Sequence, residues 1–241
     1  HFFSNGIQGG IVPISVGMAL ACKISDEGKI SAVCLGDGTL GEGVVYESFN
    51  LASKWDLPCL FVLENNQYAQ STSQSETLAG SISARAEAFD IQVFSSDTWH
   101  PESLHHTLTR AATYVREKCA PAFVQIDTYR LRAHSKGDDD RDELEIQSYE
   151  ERDPLNQWLK KNANVSEIKQ EIDNIDRRVE QAVAHADEAG FLELNDLPTS
   201  AFAHVDSTQV SLPDVTQVKA INMALRLALE LNERTFLIGE D

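Results

Sequence analysis

Apolar positions along the first 130 residues fall into two alternating rhythms. Residues 30–35, 59–63, 91–94 and 122–126 are short apolar runs, each bounded by polar or turn-forming residues. Such runs read as buried strands. Between them lie segments with helical spacing. Residues 12–24 are rich in Ala, Met and Leu, with Gly17 and Ala21 suited to tight packing. Residues 42–55 carry Val45, Phe49, Ala52 and Trp55 near helical steps. Residues 101–119 open with Pro101, a residue suited to the first turn of a helix. Strand–helix alternation of this kind predicts an α/β fold with a parallel sheet and helices on both faces.

The rhythm changes afterwards. Residues 136–145 are polar and acidic and read as a loop. Residues 148–162 and 165–190 read as two helices. In the second, Ile168, Ile172, Ile175, Val179, Ala182 and Ala186 repeat at helical steps, and Gly190 is a natural stop. Residues 194–213 have the character of a linker. Thr216 then suits the cap of an amphipathic helix carrying Val218, Ile221, Leu225 and Leu229, and residues 235–238 read as a strand closed by Gly239-Glu240-Asp241. The division expected is a domain over 1–192, a linker over 193–213 and the start of a second domain over 214–241.

Composition adds constraints. The chain has 241 residues, 42% hydrophobic and 24% charged, ordinary for a globular protein. An uninterrupted apolar run of bilayer length is not expected, so neither is a membrane partner. The opening His1-Phe2-Phe3-Ser4-Asn5-Gly6 has neither a start methionine nor a signal-peptide pattern and reads as a longer protein entered in mid-domain. The formal net charge of −18 argues against nucleic acid, whose phosphates demand a basic surface. It suits a basic protein partner or simple solubility. Cys22, Cys34, Cys59 and Cys119 form no CxxC pair, and Cys34 and Cys59 lie in apolar runs. That usage fits a reducing, cytoplasmic setting.

Two of the strand-like runs end in polar motifs, Gly36-Asp37-Gly38-Thr39 and Glu64-Asn65-Asn66-Gln67-Tyr68. Parallel sheets bind ligands beyond the carboxyl ends of their strands, so adjacent strands would bring both motifs to one edge. A carboxylate, an amide oxygen and a backbone carbonyl are hard ligands that suit magnesium shared with phosphates. Glycines flanking Asp37 allow close approach of a phosphate, and the helix starting near Gly41-Glu42 could aim its amides at an anion.

With twenty-six residues between Gly38 and Asn65, the pair resembles the thiamin diphosphate signature. The flanks resemble the alpha subunit of thiamin diphosphate-dependent 2-oxo acid dehydrogenases of the pyruvate, branched-chain and acetoin type. They include Asn5 to Pro13, Gly17-Met18-Ala19, Tyr46 to Ala52, Leu57-Pro58, and Thr128 to Ser135 followed by an acidic loop and Arg141. The resemblance covers about residues 1–190. The segment 218–225 with Phe236 to Asp241 resembles the first helix and strand of the beta subunit, which suggests a fused alpha–beta form present here as a piece.

The resemblance implies a three-layer αβα thiamin diphosphate-binding fold with C-terminal helices. It implies thiamin diphosphate and magnesium as cofactors. Asp37, the Asn66 side chain and the Tyr68 carbonyl would bind magnesium. Gly36, Gly38 and Thr39 would meet the diphosphate, Gly6 and Gln8 the aminopyrimidine end. His134 would be the catalytic histidine, and Arg130 would orient its loop or neutralise phosphate. The implied activity is oxidative decarboxylation of a 2-oxo acid with acyl transfer to a lipoyl acyltransferase. A beta-type subunit or domain would be a partner in a homo-oligomer or an α2β2-like assembly. The piece alone is expected to be inactive. Tyr68-Ala69-Gln70-Ser71-Thr72 is nearer to branched-chain enzymes than to the Tyr-Gly-Met pattern of many pyruvate enzymes. The competing reading is a non-catalytic module that keeps the fold for assembly of a multienzyme complex.

Overall fold

The computed structural model describes residues 3–135, 137, 139–162, 164–191 and 215–236. It divides into two compact units, His1–Ile175 and Asp176–Asp241.

In the first unit the apolar runs become strands β1 (Ser31–Gly36), β2 (Cys59–Asn65), β5 (Gln92–Asp97) and β6 (Ala122–Asp127). They form one four-stranded sheet in the order β1-β2-β6-β5, with every pairing parallel. Register aligns Gly36 with Glu64, and Asn65 with Asp127, so three strands end side by side. The chain steps from β1 to its neighbour β2, jumps to the far edge at β5 and returns to β6. That reversal makes the crevice at the carboxyl ends a natural ligand site.

Helices cover both faces. α1 (Gln8–Ser25) and α2 (Gly43–Lys54) pack on one side, and Val12, Val16, Val45, Phe49, Phe61, Leu63 and Phe123 meet in their core. Phe49 lies edge-on to Phe61 and Phe123, with ring centroids 4.8 and 5.8 Å away. α5 (Pro101–Lys118) covers the other side, where Ala111 and Val115 meet Leu60, Ala122, Val124 and Ile126. Alternate residues of β2 and β6 therefore point into different cores, as the strand period requires. The αβα layering matches the expectation from the sequence. Cys59 is buried as expected, whereas Cys34 is exposed. α5 packs chiefly on β5, β6 and β2, and on β1 the outward-facing Ala32 and Cys34 are exposed.

By length and composition alone α1 is long and apolar enough to cross a membrane, although Gln8, Ser15 and Lys23 interrupt its apolar sequence. Its residues Val12, Ser15, Val16 and Ala19 are buried, and it packs on β1 and α2, so within this fold it is a core helix.

Between β2 and β5 the chain makes elements that periodicity does not announce. They are a hairpin of β3 (Tyr68–Ala69) and β4 (Thr72–Ser73), then α3 (Gln74–Thr77) and α4 (Ile82–Glu87). After β6 the acidic segment gives way to α6 (Glu143–Glu150), so the expected loop ends early. Residues 148–162 do not form one helix. Pro154 starts a new one, α7 (Pro154–Lys161), whose first amides are capped by Asp153. α8 (Ser166–Glu188) follows.

The second unit contains the end of α8 and α9 (Gln217–Leu231). Thr216 caps α9 by accepting from the Lys219 amide. Ile221, Leu225 and Leu229 on α9 are exposed. The expected linker over 193–213 and most of the expected strand over 235–238, with Gly239-Glu240-Asp241, lie outside the described residues. Thr235 and Phe236 are described and carry no strand.

Candidate functional site

β1 delivers Gly36 to the sheet edge, and Asp37–Gly41 then forms a short 3-10 helix. The turn buries Asp37 at 1% exposure, with Thr39 and Leu40. Asp37 Oδ2 accepts from Gln74 Nε2 at 2.5 Å. Asp37 Oδ1 is buried and has no hydrogen-bond partner among the described residues. Burial raises the acid's pKa, while the Gln74 hydrogen bond and the field of the nearby Gly38 and Asn66 amides pull the other way. A buried carboxylate with one bare oxygen is costly unless a cation completes it.

Gly38 is fixed by proximity. A Cβ there would lie 2.6 Å from the Ala69 Cβ and 3.2 Å from its Cα. The 3-10 turn and the β3–β4 hairpin approach so closely that only glycine fits. Gln8 ties this turn to the start of α1. Its Oε1 accepts from the Gly36 amide at 2.9 Å and from the Thr39 hydroxyl at 2.8 Å. The start of α1 also holds an anion, because the Gly9 amide donates to Glu42 Oε1 at 3.0 Å. The helix following the motif, α2, begins at Gly43 with Glu42 as its N-cap residue.

At the end of β2, Asn65 and Asn66 do different things. Asn65 Oδ1 accepts from Gln74 Nε2 at 2.6 Å, and its Nδ2 donates to Asp127 Oδ1 at 2.8 Å. Asn66 Oδ1 accepts from the Tyr68 amide at 3.0 Å. Thus Asp37 and the Asn65-Asn66 pair are brought to one edge, linked through Gln74. Among the described residues no three His, Cys, Asp or Glu side chains cluster as metal ligands. The oxygen set of Asp37, Asn66 and the Tyr68 carbonyl contains one carboxylate, so it belongs to a different ligand class. Those donors, with the bare Asp37 oxygen, fit a hard divalent cation that shares phosphate oxygens.

The other expected residues are placed less tightly. Gly6 is exposed, and a Cβ there would meet open space. His134 is exposed in the segment after β6. Arg130 donates to the Gln70 carbonyl through Nη2 and to the Arg132 carbonyl through Nε at 3.1 Å. Its guanidinium thereby ties the hairpin turn to the segment that carries His134.

A second cluster stands beside Tyr68: Tyr129 and Arg141 come from the motif segments already noted, whereas Glu145 and Tyr149, which complete it, carry no motif signal. Glu145 of α6 accepts from the Tyr68 and Tyr129 hydroxyls, each at 2.9 Å. Burial, and then the Glu145 carboxylate, raise the pKa of both phenols. The Arg141 side chain, 2% exposed, packs over both rings and pairs with Asp139 at 2.6 Å. It also donates to the Arg130 and Arg132 carbonyls. Tyr149 stacks on Tyr129 at 3.8 Å. A cavity of about 420 Å³ opens here, lined by Gln67, Tyr68, Gln74, Leu78, Glu145 and Tyr149 among others. A larger one, about 490 Å³, follows α1 and β1 and includes Gln8. Gln74 and Glu145 have no periodic or motif signal in the sequence; only the path of the hairpin and of α6 brings them to the site.

Comparison with known proteins places this geometry in context. Residues 2–195 match the family model described as dehydrogenase E1 component. The curated pyruvate dehydrogenase E1 component subunit alpha of Rickettsia felis is 34% identical over 210 residues, covering 82% of this chain and 63% of that protein. The protein of the same name from Zymomonas mobilis is 35% identical over 202 residues, covering 82% and 56%. Among solved structures, a transketolase from Campylobacter jejuni aligns over 52% of this chain and 20% of its own, at a TM-score of 0.47 and 22% identity, a likeness too slight to bear on the chemistry. The chain spans about three-fifths of the length of the curated relatives it matches.

Proposed function

The chain belongs to the dehydrogenase E1 component family, and on that footing we propose that it forms the diphosphate- and metal-binding part of a thiamin diphosphate-dependent 2-oxo acid dehydrogenase. The complete protein would decarboxylate a 2-oxo acid and pass the acyl group to a lipoyl acyltransferase. One observation carries the reading. Asp37 is buried at the carboxyl edge of a parallel sheet with Oδ1 bare, beside a glycine that cannot bear a side chain. The relatives' names favour pyruvate as the substrate.

In this reading Asp37, the Asn66 side chain and the Tyr68 carbonyl hold magnesium. Gly36, Gly38 and Thr39 form the backbone cradle for the diphosphate, with Gln8 bracing Gly36 and Thr39. Thiamin diphosphate, when bound, supplies the carbon nucleophile and the electron sink for decarboxylation. The chain's own task is to fix and orient. Asp37 balances the cation, and Arg130 holds the hairpin turn against the segment bearing His134. Gly6 belongs to the aminopyrimidine end. His134, exposed toward solvent, is the group suited to move a proton or to stabilise the phosphate and departing acyl group. A beta-type subunit or domain supplies the remainder of the site, in a homo-oligomeric or α2β2-like assembly, and the location is cytoplasmic.

The test uses the complete protein with magnesium and thiamin diphosphate. Calorimetry is expected to show cofactor binding that Asp37→Ala abolishes, and a panel of pyruvate and branched 2-oxo acids to show decarboxylation. A folded preparation that neither binds the cofactor nor decarboxylates any member of the panel would favour a non-catalytic assembly module instead.

A further inference from the structure

Strands β1, β2 and β6 end together, and their last polar side chains join in one hydrogen-bonded row. Gln125 Nε2 donates to Asp127 Oδ1 at 2.9 Å. Asn65 Nδ2 donates to the same oxygen at 2.8 Å. Gln74 Nε2 then donates to Asn65 Oδ1 at 2.6 Å and to Asp37 Oδ2 at 2.5 Å. Gln74 does not come from the sheet. It starts α3, and the hairpin folds it back over the edge, where its own amide donates to the Gln67 carbonyl at 2.8 Å.

The two bonds spend both hydrogens of the Gln74 carboxamide, one on each acceptor. Both acceptors are oxygens, so the amide must face them with its nitrogen; turned the other way, its carbonyl would repel both. The result is a clamp of set length between the β1 motif and the β2 motif. It also makes the two oxygens of Asp37 unequal. Oδ2 is held, and Oδ1 is buried with no partner among the described residues. The free oxygen of a metal-ligating carboxylate is commonly hydrogen-bonded, which orients the ligand, and loss of such a partner typically weakens metal binding.

We propose that Gln74 is a positioning residue of the cation site: it fixes the Asp37 carboxylate with Oδ1 presented to a divalent cation and sets the distance from Asp37 to Asn65-Asn66. The inference rests on the proposed function, which makes Asp37 and Asn66 metal ligands. It adds a residue from outside both sequence motifs, and it assigns Asn65 to the clamp instead of the metal.

The experiment is a titration of the complete protein with Mn²⁺ in the presence of thiamin diphosphate, read by the electron paramagnetic resonance signal of free ion. Gln74→Met keeps the length of the side chain and removes both donors; Gln74→Ala removes the whole reach. Both are expected to weaken Mn²⁺ binding on the order of 10- to 100-fold. Thermal unfolding in a chelator runs in parallel. If Gln74 merely latches the hairpin, the melting temperature falls and Mn²⁺ affinity stays at the wild-type value, which overturns the proposal. Tighter Mn²⁺ binding in Gln74→Met also overturns it, because the amide would then be competing for Asp37. In either case the proposed function stands, since the wild type binds the ion. A wild type that binds no Mn²⁺ overturns both.

Discussion

A side chain of any kind on Gly38 would run into Ala69, since a Cβ at that position falls 2.6 Å from the Ala69 Cβ. The turn after β1 and the hairpin after β2 thus touch at a point without slack. Gly38→Ala is expected to push the hairpin outward and cost about 1–3 kcal/mol, as overpacking does. Because the hairpin carries Tyr68 and leads to Gln74, the same change should weaken magnesium-dependent binding of thiamin diphosphate. Urea unfolding and calorimetry measure the two effects, and an unaltered cofactor affinity would show that the contact is not part of the site.

Asp37 is stored in the fold at a cost that a bound cation would relieve. Magnesium with thiamin diphosphate at about 100 times its dissociation constant is expected to stabilise the wild type by about 2.7 kcal/mol. Asp37→Ala should remove this gain entirely while unfolding cooperatively on its own. Persistence of ligand stabilisation in the variant would place the cation elsewhere.

Arg141 organises the segment beyond β6. Its buried guanidinium bonds Asp139 and two carbonyls and packs over Tyr68 and Tyr129. Arg141→Met keeps the apolar stem and leaves those partners bare, so a loss of about 2 kcal/mol is expected. Lysine lacks the planar fork and should restore only part of it. Limited proteolysis should cut between β6 and α6 faster in Arg141→Met than in the wild type. Equal cutting rates would mean that the segment is held by other contacts.

The Cys59 thiol is pushed from 9.0 up to about 12, chiefly by burial, with the Ser15 hydroxyl opposing and Cys22 assisting. The folded state therefore keeps a proton that the unfolded state releases. This contribution to stability is fully present below pH of about 9 and is lost as pH rises toward 12. Unfolding free energy should decline across that window, and Cys59→Ala should flatten the decline. At a pH of about 8, alkylation of the folded protein should label the exposed Cys34 and spare Cys59. Rapid labelling of Cys59 under native conditions would contradict its burial.

The layered fold was legible in the chain because buried strands and covering helices write themselves as apolar runs and helical repeats. Residues 59–63 could hardly be anything but an interior strand, and β2 is there. Chemistry at the strand ends was legible for a related reason. Gly36-Asp37-Gly38 and Asn65-Asn66 interrupt apolar runs with residues that a core does not want. The division of α6 from α7 was less visible, since the acidic segment gives way to a helix whose exposed surface carries no repeat.

By itself, then, the sequence determined the four strands of the parallel sheet, the helices over them and the two motifs that meet at the sheet edge. Tertiary structure alone decided which atoms of those motifs are satisfied. Register sets Asn65 beside Asp127, and the hairpin returns Gln74 to a carboxylate 37 positions earlier in the chain. The physical reason is that burial leaves a periodic trace in a sequence, whereas a hydrogen bond between distant residues depends on where the backbone turns. One oxygen of Asp37 is held and the other left bare by that turn, a distinction invisible in the letters Gly-Asp-Gly.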